Sequence, residues 1–78
     1  MRVLYFHTLR QAAGCDAEEI SEAPHDVAAL LDLLFERHPD LRAHAGSLLV
    51  ARNHEWAGLS EELGPDDEVA LMPPVSGG

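Results

Sequence analysis

The chain has a single cysteine, Cys15, so no intramolecular disulfide can form, and a reducing compartment is expected. Basic residues are scarce, five against fourteen acidic ones, for a formal net charge of −9. A polyanion of this kind is repelled by phosphate backbones, which argues against nucleic acid as a partner. The acidity either steers the chain toward proteins with basic surfaces or simply maintains solubility. No apolar run approaches the roughly 20 residues that a membrane span needs. The N-terminal stretch passes directly into Arg2-Val3-Leu4-Tyr5-Phe6, without the basic segment, apolar run and cleavage site of a secretory signal. Internal repeats, linkers and low-complexity segments are also missing. The expectation is a cytoplasmic protein with no membrane partner.

What is present suffices for one small domain: 78 residues, 46% of them hydrophobic. Val3 to Phe6 is an apolar, aromatic run that reads as a strand, with Val3, Tyr5 and His7 on one face and Leu4 and Phe6 on the other. Residues 9–13 suggest a helical turn ending near Gly14, and residues 17–21 a short second strand. Asp26 is placed to cap a helix in which Val27, Leu30, Leu31 and Leu34 recur at i, i+3, i+4 and i+7. Pro39 stops that helix, with Arg37 and His38 at its negative end. A shorter helix over 40–45, ending at Gly46, precedes a third strand over 48–51. A turn at Asn53-His54 leads to a return segment containing Trp56. Gly64-Pro65-Asp66-Asp67 reads as a turn, and residues 68–72 as the last strand.

The pattern predicts an α+β fold, a mixed sheet covered by one main amphipathic helix with a short second helix. Its first and last strands should pair centrally and in parallel, as in a β-grasp domain. On this reading residues 1–72 form the domain and residues 73–78 an extended tail delivered by a central strand.

The tail, Pro73-Pro74-Val75-Ser76-Gly77-Gly78, carries the chemistry. Gly77 and Gly78 add no bulk in a narrow channel and accept backbone conformations closed to other residues. Pro73 and Pro74 end strand pairing and favour extended geometry. Six extended residues reach roughly 20 Å, enough to enter a deep pocket on another protein. The terminal carboxylate could then serve as a chemical handle.

Several blocks now recur in one order: Val3-Leu4-Tyr5-Phe6, the helix after Pro24, the Val50-Ala51-Arg52-Asn53 turn, Asp67-Glu68-Val69-Ala70 and the Pro-Pro-Val-Ser-Gly-Gly tail. Together they resemble, across the whole chain, the MoaD-type sulfur carriers, small subunits of molybdopterin synthase with a ubiquitin-like fold. Arg52 departs from the pattern, since a small apolar residue is common before the turn asparagine.

The resemblance implies that Gly78 is the reactive residue, reached through Gly77. An adenylating enzyme related to ubiquitin-activating enzymes would use ATP to activate it, and a sulfur donor protein would supply the sulfur of a C-terminal thiocarboxylate. ATP belongs to that enzyme, and no cofactor is expected on this chain. The tail would deliver sulfur inside the large subunit of molybdopterin synthase, making the chain a co-substrate that is not catalytic alone.

A docking face is expected from Phe6, Trp56 and Met72, with the tail residues Pro73, Pro74, Val75 and Ser76, because aromatic residues and Met are enriched at interface cores. Trp56 could instead pack on the domain's own core. The five histidines show no compact ligand spacing, so no metal site is expected. Cys15 has no activating base beside it and is not expected to be catalytic. A carrier for thiazole or cysteine synthesis shares the tail chemistry, although Pro73-Pro74 favours the first reading. A ubiquitin-like modifier joining Gly78 to lysines and a plain interaction domain complete the alternatives.

Overall fold

A strand that opens the chain and a strand that nearly closes it lie side by side at the centre of one sheet. The structure, a computed structural model, describes residues 1–74. In chain order the elements are β1 (Arg2–Tyr5), α1 (Thr8–Ala13), β2 (Ala17–Glu19), α2 (Val27–Arg37), a 3-10 helix (Pro39–His44), β3 (Leu49–Arg52), β4 (Glu55–Trp56) and β5 (Glu68–Met72). The sheet order is β2-β1-β5-β3-β4. β1 and β5 run parallel, with Val3 opposite Val69 and Tyr5 opposite Leu71, while β3 lies antiparallel on the other side of β5. This is the β-grasp arrangement expected from the pattern. One detail differs: the main helix is accompanied by two short helical segments, because α1 closes fully before Gly14 takes the left-handed φ of 77° that ends it.

α2 forms where its apolar spacing predicts. The Asp26 carboxylate accepts from the Ala29 N–H at 2.8 Å and caps the first turn. Val27, Leu30, Leu31 and Leu34 are buried on one stripe. They meet Val3, Tyr5, Val50, Val69 and Leu71 of the sheet, with Leu9, Ile20 and Leu41 closing the core. At its C-terminus the His38 N–H donates to the Leu34 carbonyl before Pro39 begins the 3-10 helix.

The strict alternation along β5, with Val69 and Leu71 buried and Glu68, Ala70 and Met72 half-exposed, leaves the second face of the sheet open. Among the described residues no helix is long and apolar enough to cross a membrane.

Candidate functional site

Because β5 is flanked by β1 and β3, its last residues are held on both sides. Met72 pairs with Leu49 of β3, and the Phe6 N–H donates to the Leu71 carbonyl at 3.1 Å. Pro73 and Pro74 then leave the sheet without regular structure. A segment leaving here starts from the best-anchored strand of the domain. The expected roles of Val75, Ser76, Gly77 and Gly78 fall outside the described residues.

The open face of the sheet carries the expected docking residues, and the structure joins some of them more closely than others. Trp56 is 68% exposed, so it does not pack on the core. It shares one hollow with His7, Leu49, Met72, Pro73 and Pro74, and a second with Ala51, His54, Glu68, Ala70 and Met72. Phe6 is 40% exposed and lies one residue beyond the Tyr5–Leu71 pair, as Met72 does on β5. It lines neither hollow. The apolar surface is therefore centred on Trp56 and Met72, at the foot of the tail.

Trp56 is positioned by a two-residue hairpin turn. Asn53 and His54 have φ of 50° and 72°, the left-handed pair that matches the twist of adjoining strands. Asn53 also ties the turn to β5. Its backbone N–H donates to the Glu68 carbonyl at 2.8 Å, its side-chain carbonyl accepts from the Glu68 N–H at 3.0 Å, and its amide donates to Asp67 Oδ1 at 3.0 Å.

Asp67 is the hub of this corner. Its Oδ2 accepts from Arg52 Nε at 2.8 Å and from the Gly64 N–H at 2.7 Å. The Arg52 hydrogen bond, then those from Gly64 and Asn53, lower its pKa from 3.8 to about 2. Arg52 also reaches Glu61 at 3.1 Å. Arg52 thus ties the end of β3 to two loops, at Glu61 and at Asp67. Sequence reasoning missed this network, since only the fold brings positions 52, 61 and 67 together.

A second polar cluster lies under the other end of the sheet. Tyr5, 2% exposed, donates its hydroxyl to Glu18 Oε1 at 2.5 Å, and His38 Nε2 meets the same oxygen at 2.7 Å. The Tyr5 and His38 rings stack edge to face. Burial and the adjacent carboxylate push the Tyr5 phenol far up. Burial of Glu18 acts upward, but the bonds from Tyr5 and His38 outweigh it and hold the carboxyl low. Arg37 pairs with Glu22. These contacts close the polar end of the core beneath Tyr5, which pairs with Leu71 on β5.

His7, which lines the hollow beside Trp56, has a backbone φ of 55°, sparsely populated for a residue with a side chain. Among the described residues no three His, Cys, Asp or Glu side chains converge as metal ligands.

The model of the ThiS family matches residues 3–78. The chain is 40% identical to the Mycobacterium tuberculosis molybdopterin synthase sulfur carrier subunit, over 100% of this chain and 96% of that protein. Its fold superposes with a TM-score of 0.84 on small archaeal modifier protein 1 (SAMP1) from Haloferax volcanii, 32% identical, covering 99% of this chain and 97% of that one. It also superposes with a TM-score of 0.71, at 26% identity, on a chain of the Helicobacter pylori complex between subunits 1 and 2 of molybdopterin-converting factor, covering 99% and 96%.

Proposed function

The chain belongs to the ThiS family, and on that premise we propose that it is the sulfur carrier subunit of a molybdopterin synthase, working in the cytoplasm. The observation that carries the reading is a likeness to sulfur carrier subunits over the full chain, with the family match running to Gly78.

A carboxylate does not react with a sulfur nucleophile at neutral pH, because oxide would have to leave. Adenylation by an ATP-using partner enzyme replaces that leaving group. The Gly78 carboxylate attacks the α-phosphorus of ATP, pyrophosphate departs, and an acyl-adenylate forms. The outer sulfur of a donor protein's persulfide then attacks the carbonyl carbon, AMP leaves with its bonding electrons, and a thiol attacks the donor's inner sulfur, forming a disulfide and freeing the thiocarboxylate. The thiocarboxylate donates its sulfur to cyclic pyranopterin monophosphate in the large subunit, and two such transfers build the molybdopterin dithiolene. Once the sulfur is bonded to the substrate, water attacks the Gly78 carbonyl carbon, the C–S bond breaks with its electron pair going to the substrate sulfur, and the chain is released as a carboxylate.

The chain's own residues supply delivery and docking. Central pairing of β5 fixes the origin of the tail. Pro73 and Pro74 direct it away from the sheet, and Gly77 keeps its approach narrow. The Trp56–Met72 surface, extended by Phe6 and by Pro73 to Ser76, is the face offered to the large subunit and to the adenylating enzyme. The complex formed by the Helicobacter pylori neighbour supports a large-subunit partner.

The test is mass spectrometry of the chain isolated from its source cells. A fraction carrying the mass gain of one oxygen exchanged for sulfur at Gly78, lost when Gly78 is deleted, is expected. Absence of that species under molybdenum-cofactor demand would overturn the reading. A second reading, a protein modifier, is favoured by the likeness to small archaeal modifier protein 1. Lysine-linked conjugates ending in Gly78 would support it.

A further inference from the structure

All five basic residues of this chain are arginines: Arg2, Arg10, Arg37, Arg42 and Arg52. The sequence contains no lysine. A guanidinium stays protonated at every physiological pH and does not attack carbonyls, whereas a lysine amine, with a pKa near 10.4, presents a reactive free-base fraction. The remaining amine is the α-ammonium of Met1. It donates to the Ile20 carbonyl at 3.1 Å and lies 3.9 Å from Glu19, over a Met1 side chain that is 1% exposed. Those contacts hold the amine against the edge strand of the sheet and engage its N–H groups.

Other nucleophiles are also subdued. The Cys15 thiol is half-buried, and burial followed by the charges of Glu18 and Asp16 pushes its pKa up, which reduces the thiolate fraction. The Tyr5 hydroxyl is committed to Glu18 in the core. Acylation of a surface imidazole leaves a labile adduct that water removes.

We infer that this domain is an acyl donor that does not act as an acyl acceptor: its activated Gly78 passes to other molecules but does not build chains of this protein on itself. The inference rests on the reading that Gly78 is activated, and it specifies the selectivity of that step. In a self-acylation the amine nitrogen would bond to the Gly78 carbonyl carbon. The bond to the leaving group would break, with its electron pair going to AMP or thiolate, and the amine would lose a proton to water. An arginine-only surface withholds the nitrogen.

The test uses the full chain carrying a small-thiol thioester at Gly78, made chemically so that no activating enzyme is needed. It is mixed at mildly alkaline pH with the free-acid chain, with Arg42→Lys or with Arg2→Lys, each change conserving charge. Nα-acetyl-lysine amide at the same amine concentration serves as reference acceptor. Intact mass reads the amide-linked product, twice the 8.5 kDa chain less water. The reference amine should be acylated, and the lysine variants should form dimer at least about tenfold faster than the unmodified chain. Dimer from the unmodified chain at the variants' rate would overturn the inference, and so would variants that form no more dimer than it does. Failure of the carrier reading is read separately, as absent pyrophosphate release when the free-acid chain meets an adenylating enzyme and ATP.

Discussion

Arg52 and Asp67 form an ion pair at 2.8 Å that joins the end of β3 to the turn preceding β5. Its effect is positional. The pair and the Asn53 side chain beside it clamp the hairpin that carries Trp56 to the strand that launches the tail. Trp56 and the strand that ends at Pro73 are thereby tied to one corner.

Replacing Asp67 by Asn removes the charged acceptor while keeping the shape. The expected loss is about 1 kcal/mol at neutral pH, a modest figure because Arg52 is partly solvated. The pH dependence follows from the sign of the shift. Asp67 has a depressed folded pKa, so its stabilisation is complete above the ordinary value of 3.8 and is lost as pH falls through about 2. Urea unfolding across that window should show the loss in the parent and a flatter profile in Asp67→Asn. Parallel profiles would remove Asp67 from the account.

Tyr5 is expected to govern the alkaline limb. Its folded pKa is raised, so its contribution is intact below the unfolded value of about 10 and declines as pH rises above it. It is the only tyrosine, and with no lysine in the sequence few other groups titrate there. Tyr5→Phe should cost about 1–2 kcal/mol at neutral pH, since Glu18 loses a buried donor. It should also suppress the decline above pH 10. Alkaline unfolding unchanged in Tyr5→Phe would contradict this assignment.

His7 offers a test of backbone strain. At a φ of 55° a side chain is disfavoured, whereas glycine adopts the conformation freely. His7→Gly should therefore be more stable than His7→Ala by about 1 kcal/mol, despite the greater entropy of glycine in the unfolded chain. Equal melting temperatures for the two variants would show that the strain is absent.

Periodic features were legible in the sequence because they reflect local repetition. The stripe of Val27, Leu30, Leu31 and Leu34, the cap at Asp26, the alternation along β5 and the turn at Asn53-His54 each fall where the residues place them. The surface centre at Trp56 and Met72 was legible in part, but Phe6 lines neither hollow that these two share. The polar clusters could not be read. Tyr5, Glu18 and His38 are separated by 13 and 20 residues, and Arg52 and Asp67 by 15. Acidic residues are so common in this chain that nothing local marks which of them a given cation or hydroxyl will meet.

Trp56 makes the sharpest functional test because its exposure separates binding from folding. At 68% exposure, Trp56→Ala removes little from the core, so the unfolding midpoint should move by less than about 0.5 kcal/mol. Binding is a different matter, since an exposed Trp that lines one hollow with Met72 and the departing prolines supplies area that a partner can fully desolvate. Calorimetric affinity for the large subunit should fall by about 2 kcal/mol, roughly thirtyfold in Kd. Phe6→Ala, outside the shared hollows, should cost less. Unchanged affinity in Trp56→Ala would move the docking face elsewhere on the sheet. If Phe6→Ala were the more damaging change, the interface would centre on β1 and the partner would approach from the opposite side of the tail.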